Sequence, residues 1–250
     1  MIEHASDRDC GLTTVEVVVP VYNEEQVLAG TIARLKGFLS QQDDFQWCIG
    51  IISNGSTDGT RDIGERLSRE DERVSFVHIH ERGRGGALRK KFLESRADVC
   101  IYVDADLSVD VSILPELVRS AAINRGVVIA NRLDPSARAK RPRYRIFLSC
   151  AYNLLVRLFF PRSSIKDPQV GMKAFHSAFL KRFIPQVKSN NFFFDTELLL
   201  LAEYNACPIV QIPADCCDLR LGKVNFAHCI LELFCGLVRV RYKRTFLLKR

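Results

Sequence analysis

Two aspartates one residue apart, Asp104 and Asp106, stand at the end of an apolar run, Val99-Cys100-Ile101-Tyr102-Val103. The run is apolar or aromatic and rich in β-branched side chains, so it reads as a buried strand. In an open α/β sheet, ligands bind outside the carboxyl ends of the strands, which is where this Asp-Ala-Asp triplet falls. A carboxylate pair there can hold a hard divalent cation through oxygen, and the cation can hold phosphates in turn. Asp is also a common turn residue, so the triplet alone fits a solvated turn equally well.

Three other polar stretches also follow apolar runs. Tyr22-Asn23-Glu24-Glu25 follows residues 15–20. Asn23 is placed to cap a helix with Glu24 and Glu25 in its first turn; alternatively, one of these carboxylates faces a ligand above the strand end. Ser53-Asn54-Gly55-Ser56-Thr57-Asp58-Gly59-Thr60 follows residues 47–52. Its small residues and hydroxyls can bring backbone N–H groups up to an anion or a nucleobase edge, and an ordinary turn before a helix has the same composition. Glu81-Arg82-Gly83-Arg84-Gly85-Gly86-Ala87 follows residues 74–79. The glycines allow close backbone approach, and Arg82 and Arg84 suit a diphosphate. No Gly-Lys-Ser/Thr closes this stretch and its glycine spacing is wrong for a dinucleotide fingerprint, so it is neither of those loops. His78 and His80 have no further His or Cys at ligand spacing and read as structural.

Beyond residue 131 the pattern changes. The stretch 132–145 is basic and loop-like, with Arg132, Arg138, Lys140, Arg141, Arg143, Arg145 and two prolines. It leads into a segment, 146–160, that is apolar nearly all round, to be buried in protein or set against something greasy. A basic loop before an apolar helix suits a phosphate carried on a lipid; a solvated loop before a core helix has the same pattern. Asp195 and Glu197 interrupt the very apolar stretch 192–202, where a carboxylate needs a partner or a function.

Strands must carry these groups. Apolar runs at 15–20, 47–52, 74–79, 99–103 and 126–130 alternate with helical patterns such as Leu28, Ile32, Leu35 and Leu39. That alternation specifies an α/β fold, a doubly wound, mostly parallel sheet flanked by helices. The 250 residues are 47% hydrophobic and 26% charged, with no repeat and no linker-like segment, so a single domain is expected. Its expected parts are a flexible N-terminus over 1–14, the domain proper over 15–222, and a basic amphipathic helical segment over 223–250. The last holds Arg239, Arg241, Lys243, Arg244, Lys249 and Arg250. It suits an anionic membrane surface, or a helix packed on the body with a solvated basic face.

A net charge of +7 favours anionic partners. No stacking platform of aromatics is evident, which argues against nucleic acid. The nine cysteines include no CxxC pair and mostly lie in apolar runs. They read as small buried hydrophobes in a reducing compartment. The stretch 1–14 has no signal-like apolar core, and no run approaches the ~18 apolar residues of a membrane span. The expected location is therefore cytoplasmic, peripheral at the membrane face.

Taken in order, Val19-Pro20-Val21-Tyr22-Asn23-Glu24, Asn54-Gly55-Ser56-Thr57-Asp58-Gly59-Thr60 and Asp104-Ala105-Asp106 resemble three motifs of the family 2 glycosyltransferases with the GT-A fold. Gly83-Arg84-Gly85-Gly86-Ala87, Asp167-Pro168-Gln169-Val170-Gly171-Met172-Lys173 and Phe194-Asp195-Thr196-Glu197-Leu198-Leu199 narrow the resemblance to polyprenyl-phosphate (dolichyl-phosphate) glucose or mannose synthases. The resemblance implies an inverting, metal-dependent transfer of a hexose from UDP-glucose or GDP-mannose to a polyprenyl phosphate, with Mg²⁺ or Mn²⁺. Pro20, Tyr22, Glu24 and Ser53 would line the nucleoside pocket, with Asn54, Arg84 and Ala105 completing the nucleotide-sugar site. Asp104 and Asp106 would hold the ion, with Ser108 where some relatives place a further ligand. Arg132, Arg145 and Ser149 would receive the acceptor phosphate. Asp195 joins Asp104 and Asp106 as a catalytic candidate, and Asp195 and Glu197 would orient sugar hydroxyls or Lys173.

The chemistry agrees with these residue types. A departing nucleoside diphosphate needs a cation and arginines. A phosphate nucleophile is already ionised and needs positioning more than deprotonation. Transfer to a hydroxyl would instead require a base, for which Asp195 is the candidate. A non-catalytic nucleotide-sugar-binding module is a third reading. Its hint is Ser53, which stands where many relatives have Asp, and the intact Asp104 and Asp106 oppose it. Many relatives also carry C-terminal transmembrane helices that are not seen here, which implies a peripheral protein.

Overall fold

The structure, a computed structural model, describes residues 12–218 and 226–247. Of the expected flexible stretch 1–14, residues 1–11 lie outside the described residues, and Thr13 already opens a strand. Lys249 and Arg250 of the expected basic segment lie outside them too.

The strands are β1 (Thr13–Val21), β2 (Phe45–Asn54), β3 (Val74–Ile79), β4 (Val99–Val103), β5 (Val127–Asn131), β6 (Ala139–Lys140), β7 (Met172–His176), β8 (Ile209–Pro213) and β9 (Cys216–Cys217). The helices are α1 (Leu28–Leu39), α2 (Thr60–Glu70), α3 (Arg84–Glu94), α4 (Leu114–Asn124), α5 (Arg143–Phe159), α6 (Ser177–Phe183), α7 (Phe193–Tyr204) and α8 (Phe226–Leu247). Seven strands form one sheet in the order β3-β2-β1-β4-β7-β5-β8, and β6 pairs with β9 in a small second sheet. All pairings in the large sheet are parallel except those of β7, which lies antiparallel between β4 and β5. This is the expected mostly parallel α/β sheet. Strands β1, β4 and β5 are near-continuous apolar runs because helices cover the sheet. Thus α3 packs on β1 and β2, and α4 on β5 and β7.

Three local expectations change. Helix α1 begins at Leu28 rather than after Asn23, and its N-cap is Val27. Asn23 takes a left-handed conformation with φ 52°, and its side-chain oxygen accepts from the Thr57 amide at 2.8 Å. Its polar group joins two loops, so it is unavailable to a helix end.

The segment 146–160 is not a core helix. It belongs to α5, which begins within the basic stretch at Arg143 and fully buries one side chain, Val156. Phe147, Leu154 and Leu158 of α5 are 72%, 60% and 69% exposed. The cysteines divide: Cys100 and Cys216 are buried, whereas Cys48, Cys150, Cys217 and Cys235 are exposed. Cys48 precedes the buried part of β2, and Cys150 lies on the open side of α5.

Candidate active site

Strands β2, β1 and β4 run in one direction, with Val21 beside Ser53 and Val18 beside Tyr102. From β1 the chain winds outward through β2 and β3, then returns to place β4 on the other side of β1. The carboxyl ends of β1 and β4 therefore flank a topological switch point, where such sheets open a crevice for ligands.

Leaving β4, the chain turns at once. The Leu107 amide donates to the Asp104 carbonyl at 3.0 Å, and Leu107 takes φ 47°. Asp106 Oδ1 accepts from the Ser108 amide at 3.0 Å. Thr31 of α1 donates its hydroxyl to the Ala105 carbonyl. The Asp104 amide donates to the Gly171 carbonyl at 2.9 Å. Gly171 has no side chain to spare there, since a Cβ would stand 2.1 Å from Asp104 Oδ2. The turn thus fixes both aspartates of the triplet, and the Asp104 side chain stays 37% exposed.

Behind them lies a charged cluster. Arg84, at the first turn of α3, donates Nη2 to Asp104 Oδ1 at 2.8 Å and Nη1 to Asp195 Oδ2 at 3.4 Å. Lys173 on β7 donates Nζ to Asp195 Oδ1 at 3.0 Å, the Val170 carbonyl at 2.6 Å and the Tyr102 hydroxyl at 2.6 Å. That hydroxyl lies 2.7 Å from Asp195 Oδ1. Burial pushes the Asp104 carboxyl above the usual carboxylate range, and Asp106 and Asp195 add to it while Arg84 opposes. Burial pushes the Lys173 ammonium down, with Asp195 opposing. For Arg84 burial is outweighed by Asp104, Tyr102 and Asp195, which raise it.

Asp104, Asp106 and Asp195 thus lie in one charged neighbourhood with Arg84 and Lys173. Asp104 and Asp106 are hard oxygen donors at the open side of the cluster. Among the described residues no three His, Cys, Asp or Glu side chains gather around one point. A two-carboxylate set suits an ion such as Mg²⁺, which fills its other positions with water and substrate phosphates.

The loops after β1 and β2 are stitched together. Ser56 Oγ accepts from the Asn23 amide at 3.1 Å, Thr60 Oγ1 from the Glu24 amide at 2.8 Å, and Glu25 Oε2 from the Gly59 amide at 2.7 Å. Asn54 donates Nδ2 to the Val21 carbonyl at 3.0 Å. Pro20 is buried in β1, whereas Tyr22 and Glu24 are half-buried at the rim. The Arg82 guanidinium sits 4.2 Å over the Tyr22 ring. Ser53 is fully buried, its hydroxyl 2.9 Å from Ser56 Oγ and 3.1 Å from His78 Nδ1. It reaches the rim only through these partners.

A second cluster forms from the basic stretch. Arg132 makes a two-pronged contact with Asp167 at 2.8 and 2.9 Å, and both side chains are buried. Arg145 donates to Asp218. Arg141, whose side chain is only 6% exposed, donates Nη1 to Ser149 Oγ at 3.4 Å and lies 3.5 Å from Asp218 Oδ2. Its Nε is the atom in this buried ion pair with Asp218. Burial and neighbouring Arg132 depress its pKa. Arg145 and Ser149 thus meet through Arg141 and Asp218, whereas Arg132 is held by Asp167 and acts on Arg141 by its charge. Sequence reasoning missed Arg141, Asp167 and Asp218 as members; Asp167 stood in a quoted motif, but nothing marked its partner. Glu197 is separate from both clusters, accepting from the Ser189 amide at 2.8 Å and from Arg239 at 3.1 Å.

Comparison with known proteins gives a consistent answer. Glycosyltransferase AglD of Haloferax volcanii is 35% identical over 237 residues, covering 92% of this chain but 37% of its own length. The dolichyl-phosphate beta-glucosyltransferases of Saccharomyces cerevisiae and Drosophila melanogaster are 27% and 31% identical. They cover 96% and 79% of this chain, and 76% and 65% of their own. Among solved structures, glucosyl-3-phosphoglycerate synthase from Mycobacterium tuberculosis in complex with UDP superposes with a TM-score of 0.70 at 17% identity, covering 92% of this chain and 80% of that one. The fold is therefore of the GT-A kind. Residues 16–185 match the family described as Glycosyl transferase family 2, and the chain belongs to that family.

Proposed function

We propose that this glycosyltransferase moves glucose from UDP-glucose to a dolichyl-type polyprenyl phosphate. The observation that carries the reading is the pairing of two charged clusters, one rich in carboxylates and one in arginines. One sets Asp104 and Asp106, two hard oxygen donors, just past the end of β4. The other gathers Arg141, Arg145 and Ser149, with Arg141 and Arg145 sharing Asp218, and suits a phosphate. They are near enough that Asp104 acts electrostatically on Arg132. Curated relatives named dolichyl-phosphate beta-glucosyltransferases support the acceptor and the sugar. A solved relative of the same fold holds Mn²⁺ and UDP, which supports the donor and the ion.

In this reading Asp104 and Asp106 hold Mg²⁺ or Mn²⁺, which supplies positive charge to the diphosphate as it departs. Arg84 stays poised between Asp104 and Asp195 to share that charge. Tyr22 and Glu24 flank the nucleoside, and Ser53 sets the loop that carries Ser56. Arg132, Arg141, Arg145 and Ser149 hold the acceptor phosphate with one oxygen free. That oxygen forms the new bond to the anomeric carbon as the bond to the UDP oxygen breaks, and the configuration inverts. Asp195 is already engaged by Lys173, Tyr102 and Arg84. Its task is to hold these groups rather than to take a proton, which disfavours a hydroxyl acceptor.

No helix of the described residues is long and apolar enough to cross a membrane. The exposed apolar side chains of α5, with the exposed Arg143 and Arg157, suit shallow seating on anionic lipid. Purified protein given UDP-glucose, Mn²⁺ and dolichyl phosphate is expected to yield a glucosylated lipid, with less or none from GDP-mannose. Preference for GDP-mannose would overturn the sugar assignment; a product with hydroxyl acceptors but none with the lipid phosphate would overturn the acceptor.

A further inference from the structure

We infer that Arg239 of α8 is a positioning residue for Arg84, acting through the loop 188–191. Arg239 donates Nη2 to Ser189 Oγ at 2.5 Å and to Glu197 Oε2 at 3.1 Å. The same Glu197 oxygen accepts from the Ser189 and Lys188 amides at 2.8 and 3.2 Å. The loop so held lies directly on the first turn of α3. The Asn190 carbonyl accepts from the Gly86 amide at 2.8 Å, and Arg89 donates Nη2 to the Ser189 carbonyl at 3.0 Å.

No side chain separates the two backbones. A Cβ at Gly83 would stand 2.8 Å from the Asn190 carbonyl oxygen, and one at Gly85 would stand 2.9 Å from that of Asn191. With backbones in contact, a shift of the loop is a shift of the turn, and Arg84 opens that turn. Helix α8 also braces the residue at the other end of the Arg84 bridge. Glu232 accepts from the Phe193 amide at 3.3 Å, and Gly236 comes so near that a Cβ would meet the Phe193 ring at 2.3 Å. Asp195 follows two residues on. One helix far from the triplet thus sets the span across which Arg84 reaches Asp104 and Asp195.

Arg239 is itself 40% exposed, so its truncation opens no core. The use of Arg84 for the diphosphate rests on the reading above; the clasp does not. Arg239→Ala is expected to speed amide exchange at Gly86 at least about tenfold with the amides of β1 and β4 unchanged, because a local contact is released rather than the whole fold. It should weaken binding of UDP with Mn²⁺ by about tenfold, and Arg84→Ala by at least as much, while the double variant loses no more than Arg84→Ala alone, since the two act through one group. Arg239→Lys, which keeps charge without the fork, should recover part of the loss. If Arg239→Ala does not fold, Ser189→Ala removes one hydroxyl and takes its place. Unchanged exchange at Gly86 in a folded variant, or additive losses in the double variant, would overturn the inference. Should the wild type bind no UDP, the nucleotide reading falls and exchange at Gly86 alone decides the clasp.

Discussion

Gly171→Ala adds one methyl group to a protein of 250 residues and aims it at the Asp104-Ala105-Asp106 triplet. The new Cβ would lie 2.1 Å from Asp104 Oδ2, 2.7 Å from Cγ and 3.0 Å from Cβ. Bringing the nearest contact to even 3.0 Å requires roughly 0.9 Å of movement, the difference between 3.0 and 2.1 Å. Strand β7 resists moving, because it is paired on both sides. The Asp104 carboxylate, 37% exposed, swings more easily, and doing so takes it off Arg84 and away from the position shared with Asp106. A 1 Å misplacement of a catalytic group costs about a hundredfold. Overpacking costs about 1–3 kcal/mol of stability, a few degrees per kcal/mol in melting temperature for a chain of this size. Steady-state kinetics with UDP-glucose and dolichyl phosphate should show kcat/KM reduced about a hundredfold in a variant that melts cooperatively and only slightly early. The reasoning is refuted if the folded variant keeps kcat/KM within about threefold of wild type, under 1 kcal/mol of transition-state stabilisation.

Other substitutions separate the two clusters. Arg141→Ala should raise KM for the lipid phosphate at least about tenfold by removing a charge-assisted donor and leave UDP affinity unchanged, as read by kinetics and calorimetry. Arg132→Ala should do the same and also destabilise by about 3–5 kcal/mol, since it leaves Asp167 buried without its cation; denaturant melts would show it. Asp104→Asn should abolish turnover and the Mn²⁺ dependence of UDP binding; a fully active variant would remove the metal assignment. Asp98 accepts from the Thr14 amide and hydroxyl, and these bonds hold its carboxyl below its ordinary value. A depressed carboxylate stabilises the fold at pH values above its unfolded pKa and loses that effect as pH falls through its folded one. Asp98→Asn should therefore be less stable than wild type at pH 7, with the gap closing below about pH 4 in melts taken across pH.

The strands and the strand-end loops were legible because each carries its own local signal: a β-branched run, then glycines, hydroxyls or paired acids. The GT-A order of motifs added the placement of Asp104 beside Arg84, which no periodicity could supply. Three features were beyond local pattern. Asn23 has the composition of a cap but serves a partner 34 residues away, Thr57. Helix α5 has the composition of a core helix, yet Phe147, Leu154 and Leu158 face outward, because burial depends on what packs against a helix and not on the helix itself. Asp167 stood in a motif with no partner marked and Asp218 carried no local signal; only the fold brings them to Arg132, Arg141 and Arg145. Whether these arginines are spare or spoken for is a question of long-range packing.

The antiparallel β7 has a consequence for how the protein is made. It fills the gap between β4 and β5, strands synthesised long before it, so until residues 172–176 arrive both have an uncovered edge. At roughly 5–20 residues per second of synthesis, such edges persist for seconds and invite pairing with other chains. The Asp104 amide has no carbonyl to meet until Gly171 is in place, and Lys173 rides on the same strand. The triplet and its counter-charges are thus completed by a late, long-range insertion of the kind that slows folding. An incomplete chain cannot assemble the carboxylate pair with its counter-charges, so the assembled pair is itself a sign that the sheet has closed.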